Sequence, residues 1–260
     1  MQDLSHHMYL MTLEGKLHLA PLDHPQTILD VGTGTGVWAM WVSPSPKHIS
    51  DTDNSSEMAD SYPSAHVTGT DLSPVQPNLV PPNCTFEIED LNSAWSYPQN
   101  HFDFIHIREL FGCVSDWEDF FAQAFTHTKP GGYVEIMEHG VYPASDDGTL
   151  DDQNVLRIWG QTVVEMGEKF GKTFKIWQES RAHMESAGFV DVVETRFKWP
   201  INGWPSPEFR THGDDGGKSW KQLRNLGVWN QLRVHNGVEG FMLRLLTTVG
   251  GVRLPFTCDD

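Results

Sequence analysis

Short apolar runs alternate along the chain with longer segments whose apolar positions recur at helical spacing. Five runs have the length and the β-branched or aromatic character of buried strands: 27–31, 65–70, 84–88, 102–107 and 133–137. Helical spacing marks five further segments: 8–18, 37–41, 117–125, 155–187 and 220–248. A sixth strand is predicted over 190–199. This alternation predicts an α/β fold with a doubly wound, mostly parallel sheet.

Proline, glycine and capping residues mark where several of these helices begin and end. Prolines within residues 43–46 stop the helix that begins at Val37. The sequence Ser115-Asp116-Trp117-Glu118 has a capping-box pattern and starts the next helix. Residues 129–132, with sequence Lys-Pro-Gly-Gly, are expected to end that helix, and Gly188 is expected to end the helical stretch 155–187.

Composition divides the chain into three parts. Residues 1–26 are predicted to form an N-terminal helical cap, and residues 27–200 an alternating strand-and-helix core. A polar stretch at about 42–57 lacks any periodicity and is predicted to be an inserted loop. Residues 201–260 are rich in Trp, Pro and Gly and are predicted to form a C-terminal helical or lid segment. Most tryptophans are expected in core and lid packing, with a pocket for a flat aromatic molecule as the alternative.

Charge and cysteine usage narrow the possible partners. The 260 residues carry a formal net charge of −17, which argues against nucleic acid or an anionic membrane because both require a basic surface. The three cysteines (Cys84, Cys113 and Cys258) form no CxxC pair, so neither a disulfide framework nor a metal site is predicted. No apolar run reaches membrane-spanning length, and the first residues lack the basic start of a signal peptide. We therefore expect a cytoplasmic protein.

A glycine-rich turn after the first strand indicates a ligand site. The strand ends at Asp30, three alternating glycines follow (Gly32, Gly34 and Gly36), and an apolar helix begins at Val37. Glycine permits positive φ angles and lets a ligand approach the main chain closely. A helix that begins after such a loop directs free N–H groups at the ligand. The turn is therefore predicted to hold a nucleotide-like molecule.

Acidic residues at three strand ends indicate which molecule this is. Asp71 ends the second strand, where a carboxylate can bind both hydroxyls of a ribose, and Glu89 and Asp90 follow the third, where a carboxylate can accept from an adenine amino group. Asp30 can attract a cationic group but would repel a pyrophosphate. S-adenosylmethionine combines these features. The same loop also satisfies the GxGxxA dinucleotide pattern, so an NAD(P)-dependent oxidoreductase is the disfavoured alternative, without an evident Tyr-x-x-x-Lys pair.

Five segments, in this order, resemble the successive motifs of class I S-adenosylmethionine-dependent methyltransferases: Asp30–Gly36, Gly69–Pro74, Phe86–Asp90, Phe102–His106 and Lys129–Tyr133. Three more resemble the LaeA-type methyltransferases of filamentous fungi, which are linked to secondary metabolism as pathway enzymes or regulators: Gln76–Asn83, Asp116–Trp117 and Phe197–Asn202. The resemblance covers roughly residues 3–248. It implies a Rossmann-like class I fold with S-adenosylmethionine as the cofactor.

The motifs and the strand ends together predict the cofactor-binding residues: Asp30, Gly32, Gly34, Gly36, Asp71, Leu72, Glu89, Asp90, Leu91 and Arg108. Because ligands of open α/β sheets bind at the carboxyl ends of the strands, the methyl acceptor is expected beside the segments after strands four and five. His106 and Arg108 follow strand four, and Glu138 and His139 follow strand five. His106 or His139 could take an acceptor proton, and Arg108 could hold a carboxylate of cofactor or substrate. For each of these residues an ordinary polar role at a strand end is an equal alternative.

Two features depart from the family pattern. Gly36 and Asp71 are 35 positions apart, and without the 16 residues of 42–57 the spacing is 19, close to the roughly 20 expected. The insert is therefore either a surface loop or an unspliced intron read in frame, which transcript sequencing would decide. The family also continues beyond the helix near residue 245 to a final antiparallel strand between strands five and six. We expect that strand to be missing or degenerate here, with reduced stability or oligomerisation through the open edge.

Two functions are consistent with these observations. The first is a methyltransferase acting on a small molecule in fungal secondary-metabolite biosynthesis, by oxygen or nitrogen methylation. The alternative is a non-catalytic or weakly catalytic regulator of secondary metabolism that acts through protein partners, for which a nuclear location is possible.

Overall fold

A computed structural model describes residues 2–42, 62–145, 148–205 and 217–250. These residues form a five-stranded sheet in the order β3-β2-β1-β4-β5, with every neighbouring pair parallel. The strands are β1 (Thr27–Val31), β2 (His66–Asp71), β3 (Cys84–Ile88), β4 (Phe102–Arg108) and β5 (Thr128–Met137). The predicted parallel α/β architecture is confirmed.

Within the described ranges the sheet is accompanied by six α-helices, of which the last continues into a π-helical turn at Leu245–Val249. The α-helices are α1 (Gln2–Thr12), α2 (Val37–Val42), α3 (Trp117–His127), α4 (Val155–Phe170), α5 (Ile176–Ala187) and α6 (Trp220–Arg244). The predicted helical pattern over 220–248 is thus confirmed.

Each face of the sheet has its own apolar core. Successive residues of a strand point to opposite faces, so Leu29 packs with Phe121 of α3 while its neighbour Ile28 packs with Trp38 of α2. Both cores are well buried, with Ile28 and Phe121 fully inaccessible. Helices therefore cover both faces, which makes the sheet doubly wound.

The parallel register brings the functional segments to one edge. Val31 lies beside Thr70 of β2 and Ile107 of β4, and Arg108 lies beside Met137 of β5. The residues that follow these strands are therefore neighbours at the carboxyl ends of the strands, where ligands of such sheets bind.

The first helix lies earlier than the predicted 8–18. Helix α1 ends at Thr12, and the chain then turns through Glu14 and Gly15, whose φ angles are 55° and 85°. The Gly15 N–H donates to the Leu10 carbonyl at 2.7 Å, a helix-terminating bond. Leu17 is buried as its apolar character predicts, but it lies beyond the helix.

Strand β5 begins at Thr128 rather than at Tyr133. The Lys-Pro-Gly-Gly segment expected to end the preceding helix belongs instead to this strand, at an irregularity in its pairing with Phe102–Phe104. Such an irregularity accommodates a proline that cannot donate to the ladder. Asp116 caps α3 by accepting the Asp119 N–H at 3.0 Å, whereas the capping-box pattern had indicated Ser115.

The prediction of a sixth strand over 190–199 is wrong. The segment pairs with no strand in the described part of the chain, Asp191 has a φ angle of 54°, and Val190 and Val193 are 82% and 84% exposed. A strand requires a hydrogen-bonded neighbour. The stretch 155–187 forms two helices, because Gly171 adopts a left-handed conformation and ends α4; Gly188 ends α5 as predicted.

Several predictions concern residues outside the described ranges. They are the insert from residue 43 onward, residues 206–216 of the C-terminal segment and the terminal residues 251–260. The division into cap, core and lid remains a prediction. Within the described ranges, none of the helices combines the length and apolarity needed to cross a lipid bilayer.

Candidate active site

Two positions of the loop between β1 and α2 strongly favour glycine. Gly32 and Gly36 have φ angles of 69° and 77°, in the left-handed region that glycine favours. A Cβ atom on Gly36 would lie 2.3 Å from the Phe86 ring, and one on Gly32 would lie 2.4 Å from the Leu110 side chain. The main chain of this loop is therefore held close to β3 and to the segment that follows β4.

Asp71 at the end of β2 is fixed against this loop. Its Oδ2 atom accepts the Gly34 N–H at 2.8 Å, and its Oδ1 atom accepts the Ser73 N–H at 3.0 Å. Each carboxylate oxygen keeps a further lone pair for a ligand hydroxyl. Leu72, the next residue, is 61% exposed. The carboxylate predicted to bind a ribose is thus held in one orientation beside the glycine loop.

The acids predicted to lie near adenine are neighbours of Asp71. The Glu89 N–H donates to the Asp71 carbonyl at 3.1 Å, which extends the pairing of β2 with β3. Asp90 is exposed, and its Oδ1 accepts from the main-chain and side-chain nitrogens of Asn92 at 3.0 and 3.2 Å. A small cleft at this point is lined by Leu29, Val31, Thr70, Glu89, Asp90, Leu91, Trp95 and Tyr97. The predicted ribose and adenine residues therefore share one part of the sheet edge.

Asp30 and His106 lie beneath the glycine loop and are almost inaccessible to solvent. His106 Nδ1 lies 2.7 Å from Asp30 Oδ1, and the Thr33 hydroxyl donates to Asp30 Oδ2 at 2.6 Å. The Trp38 ring stacks on the imidazole with 3.6 Å between the ring centroids. Burial lowers the pKa of His106 to about 4 despite the nearby Asp30. The neutral imidazole therefore donates to Asp30, and the pair ties the loop to β4.

Arg108 is a partly buried cation at the end of β4, with no carboxylate within ion-pair distance in the described part of the chain. Its Nη1 lies 3.2 Å from His6 Nδ1, and its guanidinium covers the Tyr9 ring at 5.2 Å. Burial and the Arg108 charge lower the pKa of His6 to about 3, so His6 is neutral and accepts this bond. Arg108 retains N–H donors suited to an anion.

A second charged group meets the same edge from α6. Arg233 donates to Glu109 Oε1 at 3.1 Å, and its Nη1 lies 3.3 Å from His139 Nε2. The Arg233 guanidinium lies over the Trp199 ring at 5.3 Å, and the same ring stacks on His139 at 5.8 Å. The other ring nitrogen of His139, Nδ1, is 3.2 Å from Glu109 Oε1 but is not aligned for a good hydrogen bond.

These contacts fix the charges of Glu109 and His139. Burial alone would raise the pKa of Glu109, but the Nδ1–H group of the neutral His139 ring and the charge of Arg233 outweigh burial and lower it to about 2. Burial lowers the pKa of His139, and the charge of Arg233 acts in the same direction. At neutral pH the group therefore contains an ionised Glu109 paired with Arg233 and a neutral His139.

Glu138 and Tyr9 each have a buried oxygen with no hydrogen-bond partner among the described residues. Glu138 Oε1 accepts the Leu110 N–H at 2.7 Å, whereas Oε2 has no partner. Burial, assisted by the charge of Glu109, raises the pKa of Glu138 to about 8. Burial together with the same two glutamates raises the pKa of the Tyr9 hydroxyl well above its usual value.

The predicted residues thus fall into three places. The loop side holds Gly32, Gly34, Gly36, Asp71, Leu72, Glu89, Asp90 and Leu91; Arg108 and His139 lie at the ends of β4 and β5; Asp30 and His106 lie beneath. Tyr9, Glu109 and Arg233 are not among the residues predicted from the sequence. Glu109 directly follows Arg108, so the strand-end argument that selected Arg108 could have found it. Tyr9 and Arg233 lie in distant helices and give no local signal.

The loop side fits S-adenosylmethionine. The glycines let Phe86 and Leu110 pack directly against the loop and hold its backbone in the left-handed turns at Gly32 and Gly36, and Asp71 presents acceptors for two hydroxyls. Glu89, whose N–H bonds to the Asp71 carbonyl, and Asp90, the next residue, add further acceptors beside Asp71. Arg108 offers donors for the carboxylate of the amino-acid part of the cofactor. When bound, this cofactor supplies an activated methyl group.

Comparison with known proteins identifies the family. Residues 5–194 match the model of a methyltransferase domain. The chain is 32% identical over 251 residues to the methyltransferase pytC of Aspergillus terreus, an alignment that covers 96% of this chain and 68% of that protein. It is 31% identical over 253 residues to the secondary metabolism regulator LAE1 of Cochliobolus heterostrophus, an alignment that covers 95% of this chain and 73% of that protein.

Similarity to a solved structure agrees in fold. A chain of the complex that contains the Haloferax volcanii Trm112 methyltransferase activator matches with a TM-score of 0.51 at 15% identity, over 87% of this chain and 88% of that chain. With the five-stranded parallel sheet, the glycine loop and the family match, the chain belongs to the class I S-adenosylmethionine-dependent methyltransferases, in the LaeA-like group of fungal secondary metabolism.

Proposed function

We propose that this protein transfers the methyl group of S-adenosylmethionine to an oxygen or nitrogen atom of a small molecule of fungal secondary metabolism. The observation that carries the proposal is the position of Asp71, held by the Gly34 and Ser73 amides at the mouth of the glycine loop. A fixed carboxylate at that point suits a ribose. The methyltransferase named pytC among the relatives supports the same chemistry.

Each predicted cofactor residue has a separate role in this proposal. The three glycines provide the main-chain cradle, Asp71 binds the ribose hydroxyls, and Arg108 binds the cofactor carboxylate. Asp30 acts indirectly, because both of its oxygens bond to Thr33 and His106. The adenine lies among the residues that follow β2 and β3: Leu72, Glu89, Asp90 and Leu91.

The acceptor binds beside the ends of β4 and β5. Helices α1 and α6 both contact this edge, through Tyr9 and Arg233, and they exclude water from it. Orientation of the acceptor supplies much of the rate, because the methyl group is already activated. Of the two histidines predicted to take an acceptor proton, His139 alone lies at this edge, and its Nε2 faces the Arg233 guanidinium.

The alternative function is a regulator that acts through protein partners with little or no catalysis. The similarity to LAE1 of Cochliobolus heterostrophus, named as a secondary metabolism regulator, favours this alternative. The enzyme is proposed to work in the cytoplasm, whereas a regulator would also enter the nucleus.

Calorimetric titration with S-adenosylmethionine, S-adenosylhomocysteine and NADH tests the cofactor. We expect micromolar binding of both sulfur nucleosides and none of NADH. Asp71→Ala should weaken nucleoside binding at least about tenfold, because a charge-assisted pair of hydrogen bonds is lost. Asp23→Ala, at a fully exposed position, is the control and should bind normally. Tight NADH binding, or wild-type protein that binds neither nucleoside, would contradict the proposal.

Transfer is tested with methyl-tritiated S-adenosylmethionine and a panel of phenols and primary amines. Label in an organic-extractable product supports the enzyme. Tight cofactor binding without transfer to any compound of the panel, together with recovery of a stable protein complex from fungal extract, would favour the regulator.

A further inference from the structure

At the strand edge where the acceptor is proposed to bind, His6 accepts from Arg108. Besides His6 and the arginines, four titratable side chains of the described residues lie there, and their contacts differ. Glu109 is ionised and paired with Arg233. His139 Nε2 faces the same guanidinium at 3.3 Å, so protonation there would place two cations side by side. The Tyr9 hydroxyl loses its proton only far above neutral pH. Glu138 differs from all three, because its carboxyl group faces the main-chain N–H groups of Leu110 and Phe111, while its buried Oε2 atom makes no hydrogen bond of good geometry in the described part of the chain.

We propose that Glu138 is the catalytic base that takes the proton of the methyl acceptor. This inference rests on the proposed function and deepens it, since it assigns an acceptor that is an un-ionised hydroxyl or an amine carrying a proton. An acceptor that is already an anion would need no base.

The position of Glu138 relative to the glycine loop supports this role. Its Oε1 atom is anchored by the Leu110 N–H at 2.7 Å, and the Leu110 side chain lies against Gly32, where a Cβ atom would come within 2.4 Å of it. One residue therefore links the glutamate to the predicted cofactor cradle. The anchor fixes the carboxyl group and leaves Oε2 for the acceptor.

The charges around Glu138 come from each element that packs at this edge. Tyr9 belongs to α1, Arg108 and Glu109 to the end of β4, His139 to the end of β5, and Arg233 to α6. Arg233 is neutralised by its ion pair with Glu109. Burial of Glu138, assisted by the negative charge of Glu109, raises the pKa of Glu138 to about 8. A base with a pKa near the working pH is effective in proton transfer.

The reaction step balances without any further reactant. A lone pair of the acceptor oxygen or nitrogen forms the bond to the methyl carbon while the carbon–sulfur bond breaks and sulfur keeps that electron pair. The acceptor proton moves to Oε2 of ionised Glu138, which later releases it to solvent. The positive charge of the sulfonium and the negative charge of the carboxylate are therefore lost together.

Glu135 offers a matched control on the same strand. Burial raises its pKa to about 7, one oxygen accepts the amides of Leu19 and Ala20 at 2.8 and 2.6 Å, and the other oxygen is buried without a partner. Glu135 lies within β5, three residues before Glu138, and its carboxyl group is anchored by the Leu19 and Ala20 amides instead of the Leu110 amide. Glu135 therefore shares the electrostatic character of Glu138 and lies away from the strand ends.

The test uses the charge difference between the cofactor and its product and requires no acceptor. A sulfonium cation close to Glu138 favours the carboxylate and so expels its proton, whereas neutral sulfur does not. Calorimetry of wild-type protein at pH 7.5, in two buffers of different ionisation enthalpy, should show release of about half a proton with S-adenosylmethionine and almost none with S-adenosylhomocysteine.

The variants separate the possible sources of that proton. Glu138→Gln keeps an oxygen for the Leu110 amide, so it should fold and bind S-adenosylhomocysteine within about twofold of wild type, but the difference in proton release should vanish. Glu135→Gln should retain the difference. Equal proton release with both nucleosides, or a difference that survives Glu138→Gln, would overturn the assignment of Glu138. Wild-type protein that binds neither nucleoside would overturn the proposed function and this inference with it.

Discussion

The two halves of the sheet edge are built in different ways. The cofactor half is formed by residues that follow adjacent strands, with main-chain bonds such as that of Thr33 to Thr70. The acceptor half combines strand ends with side chains from distant helices, as in the contacts of Arg108 with Tyr9 and of Glu109 with Arg233. The first half depends on backbone geometry, and the second on paired charges. Substitutions should therefore affect the two halves in different ways.

The largest effect is expected at Gly36. In Gly36→Ala the new methyl group would overlap the Phe86 ring, and alanine would have to adopt the positive φ angle of this position. The loop should therefore shift, and the affinity for S-adenosylhomocysteine should fall about 100-fold, or roughly 3 kcal/mol. Gly131→Ala is the control, because Gly131 has a φ of 82° but an open surrounding; it should cost only stability. The double variant Gly36→Ala/Phe86→Ala should recover part of the affinity. If calorimetry shows that Gly36→Ala binds S-adenosylhomocysteine with normal affinity, the predicted cradle is contradicted.

An intermediate effect, on stability rather than on cofactor binding, is expected at Arg233. In Arg233→Ala the ionised Glu109 would lose its permanent partner, which should cost about 2 kcal/mol of unfolding free energy at pH 7, because the pair is partly exposed. Affinity for S-adenosylhomocysteine should stay within about threefold. Urea unfolding measures the first quantity, and Arg233→Ala/Glu109→Gln should restore much of the loss, because no unpaired charge remains. Loss of cofactor binding as large as in Gly36→Ala would erase the distinction between the halves.

The same pair predicts the acid sensitivity of the acceptor half. The pKa of Glu109 is lowered from 4.5 to about 2 in the folded protein, so its contribution is present above pH 4.5 and is lost as the pH falls toward 2. Wild-type protein should therefore lose this stabilisation across that window. Arg233→Ala should lose less of it, because its Glu109 would start with a pKa closer to the ordinary value.

The smallest effect is expected at Arg108, where the halves meet. Arg108→Gln should weaken S-adenosylhomocysteine about tenfold, roughly 1.4 kcal/mol, by removing the partner of the ligand carboxylate. Binding of 5′-methylthioadenosine, which lacks the amino-acid part, should change less than about twofold. Arg181→Gln on the exposed face of α5 is the control. Equal loss for both ligands would show that Arg108 shapes the site without contacting the carboxylate.

The cofactor half could be predicted from the sequence because its signals are local. Asp71 and Glu89 follow short β-branched runs, and the parallel register then places them together. Local patterns do not show which distant helix covers a strand end, so Tyr9 and Arg233 were missed. They also do not show whether an extended run has a neighbour, and for that reason residues 190–199 were predicted as a strand that does not form.

One long-range bond of the acceptor half has a consequence for synthesis of the chain. The Trp199 indole N–H donates to the Thr12 hydroxyl at 2.8 Å, across 187 positions. Chains emerge from the ribosome N-terminus first, so β1 and its glycine loop leave it long before Trp199 can dock. Closing so long a loop costs entropy before the contact is gained. Helix α1 can dock early through the bond of Thr35 to Asp3, whereas its contacts with Trp199 and α6 form late. The nascent chain therefore passes through a stage with an assembled nucleoside cradle and a partly uncovered acceptor edge.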